Sequence, residues 1–361
     1  MNHSLRRRRA AKAAAEAGVE ALLLTHLPDV RYLTGFTGSN GTVVLVGGKA
    51  ALFTDGRYTT QAKEQTKGLK VVTVPKSAAA AAGAWLAEQG VKRCGVVAAH
   101  TTLAQLDGMR QALPAGLRRS FFKPVEPLVA KLREVKDADE VAILRKAAAL
   151  GCRLFDPMLT LLQPGMTEVE VAAELEYAAR RAGASGMSFD TIVASGVRSS
   201  LPHGTASLAR LPRRGFVTLD FGVMVDGYCS DMTRTVHLGK ATAAEREVYD
   251  SVLEAQLAAV AAVRPGVALG DVDEAARSVL RRAGLDKQFI HSTGHGVGLE
   301  IHEMPHVAAK QTAVLQEGMV ITIEPGVYLA GRFGVRIEDM VLVTARGGET
   351  LTPTLKAWIE L

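Results

Sequence analysis

The first third of the chain alternates short apolar runs with mixed polar segments. The runs are rich in Val, Leu and Ala and are four to seven residues long, a length typical of strands. They predict strands at residues 21–25, 41–46, 51–54, 71–74 and 91–97. A helix that ends at Ala17 is predicted ahead of them. Since helices that alternate with short strands pack on a mixed sheet, this part is predicted to be an α/β domain.

A charged stretch separates this domain from a longer second part. The sequence LREVKDADE occupies residues 132–140 and leads into a helical pattern that starts near Asp137. A chain of 361 residues is too long for one typical core, so a small and a larger domain are expected. The predicted domains are residues 1–130 and 131–361.

The second part contains an internal repeat. Pro164 opens the segment PGMTEVEVAAELEYAARRAG, and Pro265, 101 positions later, opens PGVALGDVDEAARSVLRRAG. Each segment follows a long Ala- and Leu-rich helical pattern, at 138–162 and at 243–263, and precedes strand patterns. The repeat predicts a domain built from two related halves, each a helix-helix-strands unit.

The strands of the first half carry a pair of acids. Asp226-Gly227 is typical of a two-residue hairpin turn, and a turn there places Asp220 opposite Thr233. Because side chains alternate between faces, Asp220 and Asp231 share one face as diagonal neighbours, with Cα atoms about 7 to 8 Å apart. Two carboxylates on one inward face repel each other unless a cation lies between them.

The second half carries its own acids at corresponding places. A shift of 101 positions from the first pair ends within a few residues of Glu324 and Glu338. A single acid in a sequence is usually a surface charge. Asp220 and Glu324, however, lie in the apolar runs FVTLDFG and MVITIEPG, where an unpaired acid is costly. We therefore expect each half to contribute one acidic hairpin to a shared site.

Three histidines lie in HSTGHGVGLEIHE, residues 291–303. His291 and His295 have the i, i+4 spacing of a helical metal site, but the surrounding glycines favour extended chain and loop. Glycines let the backbone approach a ligand closely, which makes His295 the candidate imidazole ligand. His291 and His302 are candidates for proton transfer or for holding an oxyanion. His203, in a loop before Asp220, is expected at the mouth of the same site.

Four carboxylates and one imidazole suit a pair of divalent ions better than a single zinc, so the set predicts metal-assisted hydrolysis. Carboxylate-dominated sites accept Mn, Co, Zn or Fe, so this reasoning leaves the metal open.

Composition excludes several other classes of function. The net charge of +6 is modest, and the chain has no basic stripe with interleaved aromatic residues of the kind that binds nucleic acids. No run approaches the roughly 18 apolar residues of a membrane span. The arginines at 6–9 are interpreted as part of a solvated first helix rather than of a signal peptide. Three cysteines without metal or redox spacing favour a reducing compartment, and the cytoplasm is expected.

The motifs resemble those of the pita-bread metallopeptidases, which include aminopeptidase P, prolidase and methionine aminopeptidase. The resemblance covers about residues 137–355, through LPHG, TLDFGVMVDGYCSDMTRT, HSTGHGVGLEIHE, TIEPGVY and VRIED. The first domain resembles the family's creatinase-type N-terminal domain, including the TDGRY stretch. The implied fold is of the α/β (α+β) class: a small N-terminal creatinase-type α/β domain followed by a pseudo-twofold pita-bread catalytic domain.

The resemblance also implies roles for the site residues. Two divalent ions, manganese in preference to cobalt or zinc, would be held by Asp220, Asp231, His295, Glu324 and Glu338. Asp231 and Glu338 would bridge the ions or bind in a bidentate manner, and a water shared by the ions would attack the scissile carbonyl. Glu324 would also carry the proton to the leaving proline nitrogen.

Four further residues match positions around the family's metal site. His203, His291 and His302 would contact the substrate, and Arg336 would support the metal-binding carboxylates. The implied partners are proline-containing peptides and a second copy of the chain in a homodimer.

Several activities remain open within the family. Methionine aminopeptidases usually lack the first domain, which leaves aminopeptidase P and prolidase, the Xaa-Pro dipeptidase. A dipeptidase benefits from a fixed cation that binds the proline carboxylate. Some prolidases have Arg four residues after the position of His302, where this chain has His306. The sequence therefore favours an aminopeptidase P, with prolidase as the alternative. Non-peptidase members typically lose ligands, whereas all five are present here.

Overall fold

The computed structural model describes the whole chain, residues 1–361. The chain divides into two compact units, Met1–Arg133 and Glu134–Leu361. None of its helices combines the length and the apolar character needed to cross a membrane.

The first unit is a six-stranded mixed sheet flanked by helices, with strand order β4-β3-β2-β1-β5-β6. Its strands are β1 Ala21–Leu24, β2 Thr42–Val46, β3 Lys49–Thr54, β4 Lys70–Thr73, β5 Cys94–Val97 and β6 Phe122–Val125. Its helices are α1 His3–Glu16, α2 Leu27–Thr34, α3 Thr59–Gln65, α4 Ala78–Glu88, α5 Leu103–Gln111 and α6 Leu128–Arg133. The five predicted strands are confirmed. Strand β6 was not predicted, because its four residues FKPV include a Pro, which is tolerated in an edge strand such as this one but weakens the strand pattern.

The arginine run in α1 is only partly solvated, so the prediction of a solvated helix was wrong for two of its members. Arg6 and Arg7 are 3% and 8% exposed. They donate hydrogen bonds to the carbonyl oxygens of Tyr32 and Leu33, at 3.2 and 2.9 Å. These carbonyls lie in the last turn of α2, where helix carbonyls lack intrahelical partners. The arginines therefore cap the C-terminal end of α2 by donating hydrogen bonds to its free carbonyl oxygens.

The second unit contains the two long helices that the sequence predicts. Its helices are α7 Ala138–Leu161, α8 Glu168–Arg181, α9 Ala243–Ala262 and α10 Leu269–Arg282. Its first strands are β7 Gly186–Met187, β8 Ile192–Ser195, β9 Gly215–Phe221, β10 Val223–Val225, β11 Tyr228–Cys229 and β12 Met232–Leu238. The later strands are β13 Gly294–Gly296, β14 Glu303–Val307, β15 Val320–Ile323, β16 Gly326–Leu329, β17 Phe333–Arg336, β18 Asp339–Thr344 and β19 Gly347–Thr350.

The two halves of this unit repeat one topology, which confirms the duplication. After α7 and α8 the strands pair in the order β8-β9-β12, and after α9 and α10 in the order β13-β15-β18, antiparallel in both cases. The repeat extends to single hydrogen bonds. Gly165 N–H donates to Leu211 O and Gly266 N–H donates to Leu315 O, each at 2.9 Å.

The first hairpin has the predicted register. Asp220 pairs with Thr233, and Val225 pairs with Tyr228. Asp226 and Gly227 have φ of +46° and +73°, the left-handed conformations that a two-residue turn of this kind requires.

The second hairpin is longer and is interrupted. Ile323 pairs with Asp339 and Gly326 pairs with Arg336, so Glu324 and Glu338 fall opposite each other in the gap between the two paired segments.

The helices cover one face of the three-stranded sheet of the first half and one face of the five-stranded sheet of the second half, and the acids lie on the other face of each. Leu219 and Phe221 of β9 belong to the core under α7 and α8, and Ile321 and Ile323 of β15 belong to the core under α9 and α10. Because side chains alternate along a strand, the residues between them point away from the helices. Asp220 on β9 therefore points to the uncovered face, and Glu324 continues the alternation just beyond β15.

Candidate metal centre

The structure brings the five predicted metal ligands together around one cavity of about 570 Å³. Asp220 lies near the end of β9 and His295 lies in the middle of β13. The other three lie at interruptions between paired strands: Asp231 just before β12, Glu324 just after β15 and Glu338 just before β18. Both halves of the unit therefore contribute side chains to the same space.

The imidazole of His295 faces two of the carboxylates. Its Nε2 lies 3.3 Å from Oε1 of Glu324 and 3.6 Å from Oδ2 of Asp231. Ligand atoms of Asp231, His295 and Glu338 all lie within 4.8 Å of one another. The Nδ1 atom of His295 is 3.0 Å from the carbonyl oxygen of Gly296, to which it donates when the ring is neutral. The lone pair of Nε2 then faces carboxylate oxygens, which is unfavourable unless a cation or a proton lies between them.

Burial and mutual repulsion disfavour ionisation of these carboxyl groups. Burial raises the pKa of Asp231 and of Glu338 well above the ordinary range, and the neighbouring carboxylates raise both further. Burial raises the pKa of Glu324 to about 8 and lowers that of His295 to about 4. Divalent ions would reverse this balance by favouring ionised carboxylates and a neutral imidazole.

Asp220 offers one oxygen to the cavity. Its Oδ2 accepts a hydrogen bond from Nη2 of Arg336 at 2.5 Å. Its Oδ1 is buried and accepts no hydrogen bond from the protein. Because a buried carboxylate oxygen without a partner is costly, this atom also fits a role as a cation ligand. The donor set as a whole fits divalent ions.

Hydroxyl and guanidinium groups fix the orientation of the carboxylates. Thr233 Oγ1 donates to Oε2 of Glu338 at 2.7 Å and accepts from Nε of Arg336 at 3.2 Å. Thr322 Oγ1 donates to Oε1 of Glu324 at 3.2 Å. Thr233 and Arg336 lie in different halves of the unit, so these hydrogen bonds also join the halves across the site.

The three predicted accessory histidines all line the cavity, but their surroundings differ. His203 lies in the loop before β9, as expected. His302 stacks edge-on against His295 with ring centroids 4.5 Å apart, and burial lowers its pKa. His291 is the most enclosed of the three, and burial lowers its pKa to about 4.

Both ring nitrogens of His291 are engaged within the protein. Nδ1 lies 2.8 Å from the carbonyl oxygen of Ser292, and Nε2 lies 3.0 Å from the hydroxyl of Tyr328. A carbonyl oxygen accepts only, so Nδ1 carries the proton and Nε2 accepts from the tyrosine. His291 is therefore better placed to hold Tyr328 than to contact a substrate.

Sequence reasoning missed Tyr328, which joins two of the predicted residues. Its hydroxyl accepts from Nη1 of Arg336 at 2.7 Å and contacts His291. A signal was present in the sequence: Tyr328 follows Glu324 by four positions in the same hairpin arm, so alternation places both side chains on one face.

The remaining lining includes an apolar surface that the sequence did not indicate. Phe189, Ile192 and Ile301 line the cavity beside the histidines, and His306 lines it too. Arg336 is the only Arg or Lys in the lining, and its guanidinium is already bonded to Asp220, Thr233 and Tyr328.

Two family sequence profiles match the chain. The profile of metallopeptidase family M24 matches residues 142–345, and that of the creatinase/prolidase N-terminal domain matches residues 6–135. Each match falls almost wholly within one of the two structural units.

Three known proteins are similar to the chain over nearly its whole length. The structure of an Xaa-Pro dipeptidase from Bacillus anthracis is 39% identical with a TM-score of 0.96, and each chain covers 100% of the other. The Xaa-Pro dipeptidase of Pyrococcus horikoshii is 36% identical over 93% of each chain. The structure of an X-Pro aminopeptidase from Thermotoga maritima is 35% identical with a TM-score of 0.88, over 97% of this chain and 100% of the other.

Proposed function

Because this chain belongs to metallopeptidase family M24, we propose that it is a metal-dependent Xaa-Pro dipeptidase. Its fold is the predicted one, a creatinase-type N-terminal domain followed by a pita-bread catalytic domain. The observation that carries the proposal is the end-to-end similarity to Xaa-Pro dipeptidases, at 39% identity in one case and 36% in the other.

The proposed ligands of two divalent ions are Asp220, Asp231, His295, Glu324 and Glu338, all of which line the cavity. Bound ions of this kind lower the pKa of water, polarise a carbonyl group and neutralise developing negative charge. Manganese is proposed as the native metal, with cobalt or zinc as substitutes, because oxygen ligands dominate the set.

Glu324 is the proposed proton carrier. Its carboxylate lines the cavity, and its Oε1 faces Nε2 of His295. A carboxylate beside the attacking water can act first as a general base and then, once protonated, as a general acid. It would take the proton from the attacking water and deliver it to the proline nitrogen, which leaves as an amine.

His203 and His302 are the proposed substrate contacts, since His291 is held by Tyr328 and Ser292. Both line the cavity, and the pKa of His302 is lowered by burial, which keeps its imidazole neutral at pH 7. A neutral imidazole can donate one hydrogen bond to a carbonyl oxygen that gains negative charge.

The apolar wall gives a basis for proline selection. Phe189, Ile192 and Ile301 present carbon surface beside the proposed metal centre. A proline ring is apolar, and its nitrogen has no N–H to satisfy, so such a wall accommodates it without leaving a polar group unpaired. This wall is the proposed binding surface for the ring.

Aminopeptidase P activity is the second candidate. The sequence favoured it because His306 replaces an Arg found in some prolidases, and one 35% identical relative is an X-Pro aminopeptidase. The absence of an uncommitted Arg or Lys from the lining also agrees with it. The dipeptidases nonetheless give the stronger support, and the proline carboxylate would then be bound by imidazole N–H groups near the cavity mouth.

A matched substrate series tests the choice. The protein is stripped of metal, reloaded with manganese, cobalt or zinc, and assayed on an Xaa-Pro dipeptide, the corresponding Xaa-Pro-Yaa tripeptide and a longer peptide. If the protein is a dipeptidase, kcat/KM should be highest for the dipeptide. Faster cleavage of the tripeptide supports the aminopeptidase, and no cleavage of any member rejects both. The homodimer and the cytoplasmic location stay predictions.

A further inference from the structure

A second group of metal-ligating side chains lies in the first unit, apart from the catalytic cluster. It consists of His26, Asp29 and His100. His26 comes two residues after the end of β1, and His100 comes three residues after the end of β5. β1 and β5 are parallel neighbours in the sheet, so the chain leaves both strands at the same edge. The carboxyl edge of parallel strands is where open α/β sheets commonly bind ligands.

The three side chains are close enough to share one ion. One ligand atom from each lies within 4.8 Å of the other two. Nδ1 of His26 is 3.3 Å from Oδ2 of Asp29. The rings of His26 and His100 are stacked, with centroids 3.9 Å apart and planes inclined by 3°.

Asp29 carries the second, independent observation. The residue is fully buried, and its Oδ1 accepts a hydrogen bond from Nη1 of Arg133 at 2.8 Å. Its Oδ2 is also buried but accepts no hydrogen bond, and it lies on the side of His26. A buried carboxylate oxygen that accepts no hydrogen bond is costly, and a cation bound between it and the imidazole of His26 would remove that cost.

We propose that the first unit binds one zinc-class divalent ion through His26, Asp29 and His100, with water completing the coordination. Two imidazoles and one carboxylate form a borderline donor set that suits Zn²⁺ or Co²⁺ better than Mn²⁺. The catalytic set has four carboxylates and one imidazole, so the two sites differ in metal preference. The ion would tie the loop after β5 to the start of α2.

Binding requires one of the two rings to turn. A metal ion lies close to the plane of each imidazole that binds it, and two parallel planes separated as these are cannot both contain one ion. Zinc binding would therefore separate the stacked rings of His26 and His100. In a crystal structure of the zinc-loaded protein the two ring planes should no longer be parallel.

The test counts metal in the full-length protein. Wild type, His26→Gln and His100→Asn are equilibrated with excess Zn²⁺, passed over a desalting column and measured by mass spectrometry for zinc per chain. His3→Asn is the matched control, because His3 is the remaining histidine of this unit and stands outside the cluster. Peptidase activity after loading with Mn²⁺ shows that each variant is folded.

The expected result is one zinc fewer per chain in both cluster variants than in wild type and in His3→Asn, with unchanged peptidase activity. Cobalt titration should likewise lose one equivalent of its visible absorption in the cluster variants. Equal zinc in all four proteins overturns the proposal and leaves the ring stack and the Arg133 pair as packing only. Because the comparison is a difference between variants, it does not depend on how many ions the catalytic centre holds.

Discussion

The hydroxyl of Tyr328 accepts a hydrogen bond from Arg336 at 2.7 Å. The same hydroxyl donates to Nε2 of His291, so the phenol group orients both the guanidinium of Arg336 and the neutral imidazole of His291. Arg336 in turn holds Asp220, one of the proposed metal ligands. Tyr328 is therefore a positioning residue for the proposed metal centre, although it contributes no ligand itself.

Tyr328→Phe should lower kcat/KM for an Xaa-Pro substrate about 10-fold, since loss of one or two hydrogen bonds costs about 1 to 3 kcal/mol. The fold should survive, because phenylalanine fills the same apolar space. Metal affinity, measured by competition with a chelator, should fall by less than the activity. Tyr177→Phe, an exposed tyrosine on α8, is the matched control and should be unchanged. Full activity in Tyr328→Phe would show that the Tyr328 hydroxyl does not position the site.

Asp231→Asn should abolish peptidase activity, by at least about 100-fold, because an amide cannot replace a carboxylate between two cations. Metal content per chain should fall in parallel, while circular dichroism stays that of wild type. Asp250→Asn is the matched control, since Asp250 is more than half exposed on α9. An Asp231→Asn enzyme that retained full activity would reject the dinuclear site.

Metal removal should make stability depend on pH. In the metal-free protein, burial raises the pKa of Glu324 from 4.5 to about 8. Burial raises those of Asp231 and Glu338 in the same direction. Below the unfolded pKa such groups are protonated in both states. Between the two pKa values the folded protein binds more protons than the unfolded chain, so stability falls as pH rises towards 8.

The measurement is the Tm of chelator-treated protein at several values between pH 7.5 and 8.5. Above about pH 7.5 the imidazoles of His291 and His295 are neutral in the unfolded chain, and their lowered pKa of about 4 keeps them neutral in the folded protein too, so they do not oppose the expected fall. The Tm should fall with rising pH without metal and change less with manganese bound. Glu324→Gln, treated with chelator, should show a shallower fall. A flat or rising profile in the metal-free wild type would contradict the expected proton binding.

Asp339→Ala should destabilise the protein by about 3 to 5 kcal/mol, the typical cost of stranding a buried charge. Asp339 is fully buried and accepts from Arg234 at 2.8 Å and from Lys356 at 2.5 Å. Arg234 also donates to the backbone carbonyl of Glu338. The network therefore holds the backbone of one proposed metal ligand in place. Urea unfolding measures the loss. Glu274→Ala, which removes an exposed ion pair with Arg281, should change stability little.

His306→Arg should shift preference towards dipeptides, because a permanent cation beside the cavity can bind the free proline carboxylate. The expected effect is a lower KM for an Xaa-Pro dipeptide and little change for a tripeptide, whose proline has no free carboxylate. His306→Gln is the comparison that removes the imidazole without adding charge. Equal changes for both substrates in the Arg variant would show that position 306 does not sense the carboxylate.

Local rules predicted much of this site from the sequence. The turn at Asp226-Gly227 fixed the register that places Asp220 opposite Thr233, and the 101-residue repeat pointed to the second pair of acids. Glycines around His295 indicated the short extended segment that the structure contains. These inferences depend on turn type, alternation and spacing, which are properties of neighbouring residues.

The features that sequence reasoning missed depend on contacts between distant segments. Arg6 lies in an apparently solvated run, but it is buried against the end of another helix. The approach of His26 to His100 follows from the order of strands in the sheet, which no local pattern reveals. In the sequence only one position, His306, bears on the choice between dipeptide and longer peptide, whereas similarity along the whole chain gives the dipeptidase more support.

The division of the ligands between the two halves has a mechanical consequence. Asp220 and Asp231 come from the first half, while His295, Glu324 and Glu338 come from the second. Neither half carries a complete set, so ions bound to all five side chains would cross-link the two halves. Separating the halves would then require breaking coordinate bonds, and metal release and opening of the catalytic unit would become a single cooperative event.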